Sequence, residues 1–425
     1  MKINISNKRI YGIIILIITS IIFELNTIQL SDTNISSLII AFILNFCLVF
    51  ISWYANGVEL ITYMLFCIVV LTIPITIQFF TGSSYGLLST TTTTIPLHYS
   101  QFLKYIFCYC TIFLGLSLIV NLRKRENLLS QLSPWNLNQL NIVFNNLVAI
   151  IFTFVAFPRL SLNVSATERF DMLLPGHAWN QLAIVALLFN LTHLRKNTSV
   201  KIVYAFVILW FLLNGERADI TGLVLGIFIY WFMNYKKNTN ISRMQKIVGI
   251  TLLFVFIVIL NFIAGIRNGE SISLIQSLKS ILVTPTISDV SYILNTVIDF
   301  LGKYPTLHGK IFVNNLFSII PLYDNNVFEN VLSFSYPYPG GEPWLAQPLL
   351  DWGVLGLILT PFIDIVLLRL ITLKNNRFFK MEYLAFLCLV PRAVWYGRSY
   401  TFTTLLFFVP CMYMFNYLIN KYIRV

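Results

Sequence analysis

The stretch "WFLLNGERADITGLVLG", Trp210–Gly226, sets Glu216, Arg217 and Asp219 between two apolar runs. Runs like these recur along the chain, roughly 15 to 22 apolar residues at a time with short polar breaks, which is the hydropathy pattern of membrane-crossing helices. Inside a bilayer the backbone has only itself to hydrogen-bond, so it closes into helices or a barrel. No alternation of apolar and polar residues over about ten positions suggests a barrel. The expected fold is therefore all-α, a polytopic helical membrane protein. Composition agrees, because 57% of the 425 residues are hydrophobic and only 11% are charged. With a mean hydropathy of +0.77, the chain has too little charge to cover a soluble globule of its size.

About twelve runs are long enough to be spans: 10–23, 35–53, 59–80, 102–121, 140–157, 177–193, 198–213, 220–234, 246–264, 350–371, 383–396 and 401–419. The first follows Lys2, Lys8 and Arg9 without a small-residue cleavage site, and reads as a retained helix, not a removed signal peptide. Lys and Arg gather in alternate connections: the N-terminus, "RKRE" at 123–126, "LRK" at 194–196, 235–246, 373–380 and the C-terminal tail. Positive-inside bias puts those connections and both termini in the cytoplasm. Most acidic residues, Glu216, Asp219, Asp289, Asp299 and Glu342 among them, then fall outside. The six cysteines all sit in apolar runs, which indicates neither a disulfide framework nor a metal site. The net charge of +12 is not drawn into a basic stripe with interleaved aromatics, so nucleic acid is not an expected partner.

This topology divides the chain into helices over 1–264, a long extracytoplasmic segment over 265–349 and further helices over 350–425. A connection as long as 265–349 is more than a passive turn. Within it, 271–282 and 288–302 carry apolar residues at helical spacing, the second behind Ser288 as a candidate N-cap. Both are expected to lie as amphipathic helices on the outer membrane surface. The loop "FSYPYPGGEPW", 334–344, is stiffened by proline and opened by Gly340 and Gly341. It is either a wall for carbohydrate or a plain connector.

Arginine disfavours the translocated side, yet Arg159, Arg217, Arg267, Arg392 and Arg398 all fall at outside-facing ends. A guanidinium grips phosphate oxygens as a bidentate fork, so converging arginines suit a lipid-linked phosphate or diphosphate. The alternative is that each one snorkels to headgroups or pairs with a nearby carboxylate. At 1.5 Å per residue the runs 198–213 and 220–234 span only roughly 24 and 22 Å of a core about 30 Å thick. The "NGERAD" turn is thus expected below the outer surface, where ionisable groups usually serve function. The run around Arg392, interrupted by Pro391, is expected to be short as well.

"NGERADITGLVLG", the long segment containing "HGKIFVNNLFSIIP", and "GGEPWLAQPLLDWGVLG" resemble the Wzy-type polymerases of O-antigen and capsule repeat units across about residues 200 to 360. The resemblance implies an architecture like that of the GT-C glycosyltransferases with a long outer loop, in the bacterial cytoplasmic (inner) membrane. It implies metal-independent glycosyl transfer without a cofactor, from an undecaprenyl-diphosphate-linked oligosaccharide to the non-reducing end of a lipid-linked repeat unit. Membrane lipids are the other expected partner, and a chain-length regulator is a candidate. Arg217 matches the family's arginine after a polar turn, and Arg159, Arg267, Arg392 and Arg398 join it by position and chemistry, with Glu216 and Asp219 orienting. Base candidates are His308, Glu342 and Asp351, although Asp351 also suits a helix cap and His308 a simple pre-helix position. His98 and His177 look peripheral. An O-antigen ligase shares this plan, and a lipid-linked oligosaccharide flippase is the rival from outside enzyme chemistry.

Overall fold

The computed structural model describes residues 10–18, 34–57, 59–82, 84, 86–90, 95–120, 137–160, 178–235, 251, 255–256, 258, 284–323, 326–373 and 376–422. Among them every regular element is helical. Most are where the hydropathy places them: α1 (Ile35–Asn56), α2 (Leu60–Val69), α3 (Thr72–Thr81), α4 (Tyr99–Ile119), α5 (Gln139–Ala156), α6 (Trp179–Phe189), α7 (Thr198–Leu213) and α8 (Arg217–Tyr235). After them come α9 (Pro285–Lys303), α10 (Lys310–Phe317), α11 (Val327–Ser333), α12 (Ala346–Trp352), α13 (Val354–Leu373), α14 (Arg377–Tyr396), α15 (Arg398–Thr403) and α16 (Val409–Tyr422), with a π-helical turn over Thr404–Phe408. Six helical stretches among the described residues are long and apolar enough to cross a membrane, and α6 and α7 are shorter apolar helices. Most of the run expected over 246–264 lies outside the described residues, as do Arg267, His177 and the helix expected over 271–282.

Asparagine starts several helices. Asn138 accepts from the Asn141 N–H and Asn376 from the Phe379 N–H, each at 2.9 Å. Each answers one of the amides that a helix start leaves without an intrahelical partner. Within the bundle, Asn141, Asn145, Asn190 and Asn416 are fully buried and bonded to one another. These amides join α5 and α16 to the end of α6, and in a lipid surrounding each would otherwise face hydrocarbon without a partner.

One close helix pairing is set by glycine. A Cβ on Gly222 would stand 2.0 Å from the Cys388 carbonyl oxygen, and one on Gly226 would stand 2.4 Å from the Cys388 sulfur. Only a hydrogen fits at either place, so the "GLVLG" of α8 lets its backbone lie directly on α14. The structure departs from the expected short run here: α14 is helical from Arg377 to Tyr396 with Pro391 inside it. Proline removes one backbone donor, and Gly222 of α8 packs at this point, where an added Cβ would stand 3.3 Å from the Pro391 ring. Helix α8 also begins earlier than expected, at Arg217, and its 19 residues span roughly 28 Å. Only α7, at 16 residues, keeps the shortness inferred from hydropathy.

The helix expected over 288–302 exists as α9, but Thr284 caps it, accepting from the Ile287 N–H at 3.2 Å, and Pro285 opens its first turn. It is a packed element and not a raft on the surface. Both its apolar and polar sides are buried: Val290, Leu294 and Val297 alongside Ser291, Asn295 and Thr296. Ser291 donates to the Leu71 carbonyl at 2.9 Å and Asn295 to the Pro96 carbonyl at 3.1 Å. Those polar residues are satisfied by the bundle, which is why a solvated face in the sequence pattern is an inward face in the fold.

Gly222→Val should therefore drive α8 off α14 and lower the thermal midpoint of the detergent-solubilised protein, read by size exclusion after heating. Gly302→Ala, on α9 where an added Cβ meets nothing within 4 Å, should be neutral or stabilise by up to ~1 kcal/mol. Equal midpoints for Gly222→Val and the wild type would show that the two helices do not depend on this contact.

Candidate functional site

The contact between α8 and α14 brings the start of the first helix to the end of the second. There Arg392 Nη1 donates to Glu216 at 2.8 Å and stands 3.5 Å from Asp219, while Nη2 donates to the Tyr400 hydroxyl at 2.6 Å. The guanidinium also lies over the rings of Tyr396 and Tyr400, at 4.5 and 4.3 Å from their centroids. Asp219 in turn accepts from the Asn180 and Gln181 side chains of α6. Arg392 Nε is buried and has no hydrogen-bond partner. Charged side chains out of water need both counter-charge and hydrogen bonds, and this cluster supplies them from α6, α8, α14 and α15.

Arg398 sits one turn of chain further on, past Gly397. It forks onto both oxygens of Asp364, which also accepts from the Trp344 indole at 3.1 Å, and its guanidinium stacks 3.9 Å from the Trp344 ring. Its backbone N–H donates to Gln347, whose side-chain amide donates to Glu342. Gly397 has φ 113°, and a Cβ there would stand 3.0 Å from the Glu342 carboxyl. Glycine is what lets that carboxyl close on the backbone between the two arginines. The 334–344 loop is pinned to α14 by Glu342 N–H and Trp344 N–H donating to the Trp395 and Val394 carbonyls at 3.2 and 2.8 Å.

Burial pushes the Glu342 carboxyl up to about 8, the Gln347 hydrogen bond works against this, and nearby Glu329 adds to it. At neutral pH most of this side chain is neutral, which makes it a strong base in its ionised fraction. Tyr338 lies near Glu342, Glu329, Tyr400 and Tyr396. All three tyrosines and both Arg217 and Arg392 are half-buried.

Of the residues singled out in the sequence, the structure gathers Glu216, Asp219, Arg392, Glu342 and Arg398. Arg217 opens α8 beside them and lies near Asp289 of α9, whose carboxyl burial pushes up to about 6 against a hydrogen bond from the Leu87 backbone and, more weakly, the Arg217 charge. The ion pairs from Glu216 and Asp219 run to Arg392, where the sequence reading has them orienting Arg217. Arg159 is exposed beyond the end of α5, and no described contact ties it to the cluster. His308 is also exposed, with a left-handed backbone at φ 52° and Thr306 Oγ1 3.4 Å from its Nδ1. Asp351 accepts from the Ile311 and Phe312 N–H groups at 2.9 and 2.7 Å. Both its oxygens cap α10 from the last turn of α12, so it closes a neighbouring helix and not its own.

The pattern of charges concealed one pair. His98, peripheral in the sequence, has Nε2 3.1 Å from the buried Asp299, which also holds Lys303 and accepts from Tyr336 at 2.8 Å. Burial works against Asp299 ionising, but these hydrogen bonds outweigh it and hold the carboxyl below its usual range. The two residues lie 201 positions apart, and no local spacing signals such a pair. Among the described residues no three His, Cys, Asp or Glu side chains are placed to share a cation. Comparison with protein-family models, with curated proteins and with solved structures finds no match to this chain.

Arg392→Ala would leave two buried carboxylates facing each other, at a cost of about 3–5 kcal/mol. Replacing all three charges, as Arg392→Met with Glu216→Gln and Asp219→Asn, should recover most of the lost stability in the same thermal assay. A triple variant no more stable than Arg392→Ala would show that the ion pair is not what holds this end of the bundle.

Proposed function

We propose that this protein polymerises lipid-linked oligosaccharide repeat units at the outer face of a bacterial cytoplasmic membrane, with about twelve spans, both termini inside and an arrangement like that of the GT-C glycosyltransferases. The observation that carries the reading is the convergence of Arg217, Arg392, Glu342 and the half-buried tyrosines 338, 396 and 400 at one end of an apolar helical bundle. That combination suits a ligand with an anionic headgroup, sugars and a hydrocarbon tail.

In this reading the donor diphosphate engages Arg217 and Arg392. It competes with Glu216 for Arg392 and finds the buried Nε donor unoccupied. The carboxylates keep the guanidinium groups in place before substrate arrives and give way to a ligand of higher charge. Arginine suits this exchange because its charge is permanent and its fork fits phosphate oxygens. The acceptor hydroxyl attacks the anomeric carbon of the donor sugar. The bond from that carbon to the phosphate oxygen breaks, the diphosphate leaves with the electron pair, and the hydroxyl proton passes to the Glu342 carboxylate. The tyrosine rings offer apolar faces to the sugars, and Arg398, already forked onto Asp364, positions the Gln347–Glu342 pair through its backbone.

Deleting the gene should leave surface glycan with single repeat units, and restoring it with Arg217→Ala should lower polymer formation roughly 100- to 1,000-fold, the scale of losing one preorganised charge donor. Unchanged polymer length in the Arg217→Ala strain would sink the proposal, and complete polymer left unattached in the deletion strain would instead favour a ligase. Because the base must be ionised, the rate of the purified enzyme should rise with pH through about 8. Glu342→Gln should abolish that limb with a rate loss of roughly 10²- to 10⁴-fold, and a retained limb would remove Glu342 from the chemistry.

A further inference from the structure

Helix α10 and the turns after it are inside out. Asn314, Asn315 and Ser318 are buried, at 5%, 1% and 0% exposure. Asn314 accepts from the Tyr323 hydroxyl at 2.9 Å, Asn315 donates to Gln347 at 3.3 Å, and the Ser318 carbonyl accepts from Thr403. The residues turned outward are Val313, Leu316, Phe317 and Ile320, with Leu322 at 73% exposure. Positions 313, 316, 317 and 320 follow the i, i+3, i+4, i+7 spacing of a single helical stripe. A stripe of that kind normally faces the core, and here the core side is polar.

We infer that the segment from Lys310 to Tyr323 lies in the membrane, with lipid acyl chains covering its outward stripe. A surface in contact with water would be expected to reverse the two faces. The segment is too short to span, since a crossing helix needs about 20 residues and a run of about 10 to 14 is that of an interfacial or re-entrant piece. The apolar surface also continues. Helix α12 packs on α10, the Phe312 and Trp352 rings are 5.5 Å apart, and α12 leads through Gly353 into α13. Helix α13 is itself one of the helices apolar enough to cross a membrane, and its Leu355, Leu359 and Phe362 are exposed. The exposed flank of α13 and the stripe on α10 are joined through α12 into the belt we infer, with Trp352 between them and Lys310 at the segment's start to reach the headgroups. The occupant that fits this belt is hydrocarbon, because Val313, Leu316, Phe317, Ile320 and Leu322 turn only apolar surface outward and the Tyr323 hydroxyl is already engaged by Asn314.

The test uses the full chain in phosphatidylethanolamine–phosphatidylglycerol vesicles, with nitroxide labels on Phe317→Cys, Leu322→Cys and, as an exposed loop control, Ser335→Cys, each in a background without the native cysteines. Labels at 317 and 322 should be relaxed by oxygen and lose the relaxation by an aqueous nickel chelate that the 335 label shows. Nickel relaxation at 317 and 322 equal to that at 335 would overturn the proposal, as would dipolar broadening that marks a second copy on this face. Circular dichroism of each labelled protein checks folding, and Val313→Cys replaces any variant that fails it. None of these readouts depends on catalysis.

Discussion

The approach of α8 to α14 through Gly222 and Gly226 is the contact on which the rest of this end depends. In a bilayer no hydrophobic gain separates helix from lipid, so helices stay together through close packing and buried hydrogen bonds. With no side chain at 222 or 226, backbone meets backbone at Cys388, where dispersion is densest. That contact fixes how far along α14 the start of α8 falls, and therefore which arginine Glu216 and Asp219 meet. A shift by one helical turn would move them about 5.4 Å, enough to leave Arg392 with neither carboxylate.

The same end shows how a membrane bundle carries charge. Arg392 and Arg398 are each enclosed by a carboxylate, an aromatic face and a hydrogen bond drawn from a different helix. Low dielectric makes each pairing strong and each missing partner costly. The arrangement is a set of arginines already answered by the protein, half-open on the Arg217 and Arg392 side and closed on the Arg398 side. Glu342 stands apart as a carboxyl whose listener is an amide, Gln347, and not a cation. Its acidity is set by burial, whereas Asp299 is set by Lys303, His98 and Tyr336.

Much of the fold was legible because hydrophobic runs and helices have the same cause. The runs expected at 35–53, 102–121, 140–157 and 198–213 are each a helix with nearly those bounds. Pro391 misled because a proline costs a helix one hydrogen bond without having to end it, and α14 continues through it. The polar side of α9 misled because periodicity separates two faces without saying what covers each, and both are covered. At the site, the sequence singled out Arg392, Glu342 and Arg398, since ionisable residues beside apolar runs stand out against their background. It did not reveal that Glu216 and Asp219 serve Arg392, or that His98 meets Asp299. Those pairings cross the chain, and "GLVLG" was the one local sign of the first, as a pair of small residues four apart.

The asparagines of α5, α6 and α16 carry a consequence for how the chain is made. Asn141 and Asn145 precede their partner Asn416 by 275 and 271 residues of chain. Until α16 arrives, those amides are left in hydrocarbon or shielded by whatever inserts beside them. The bundle is thus incomplete here until α16 is in place, and a chain stopped short of α16 exposes a polar seam.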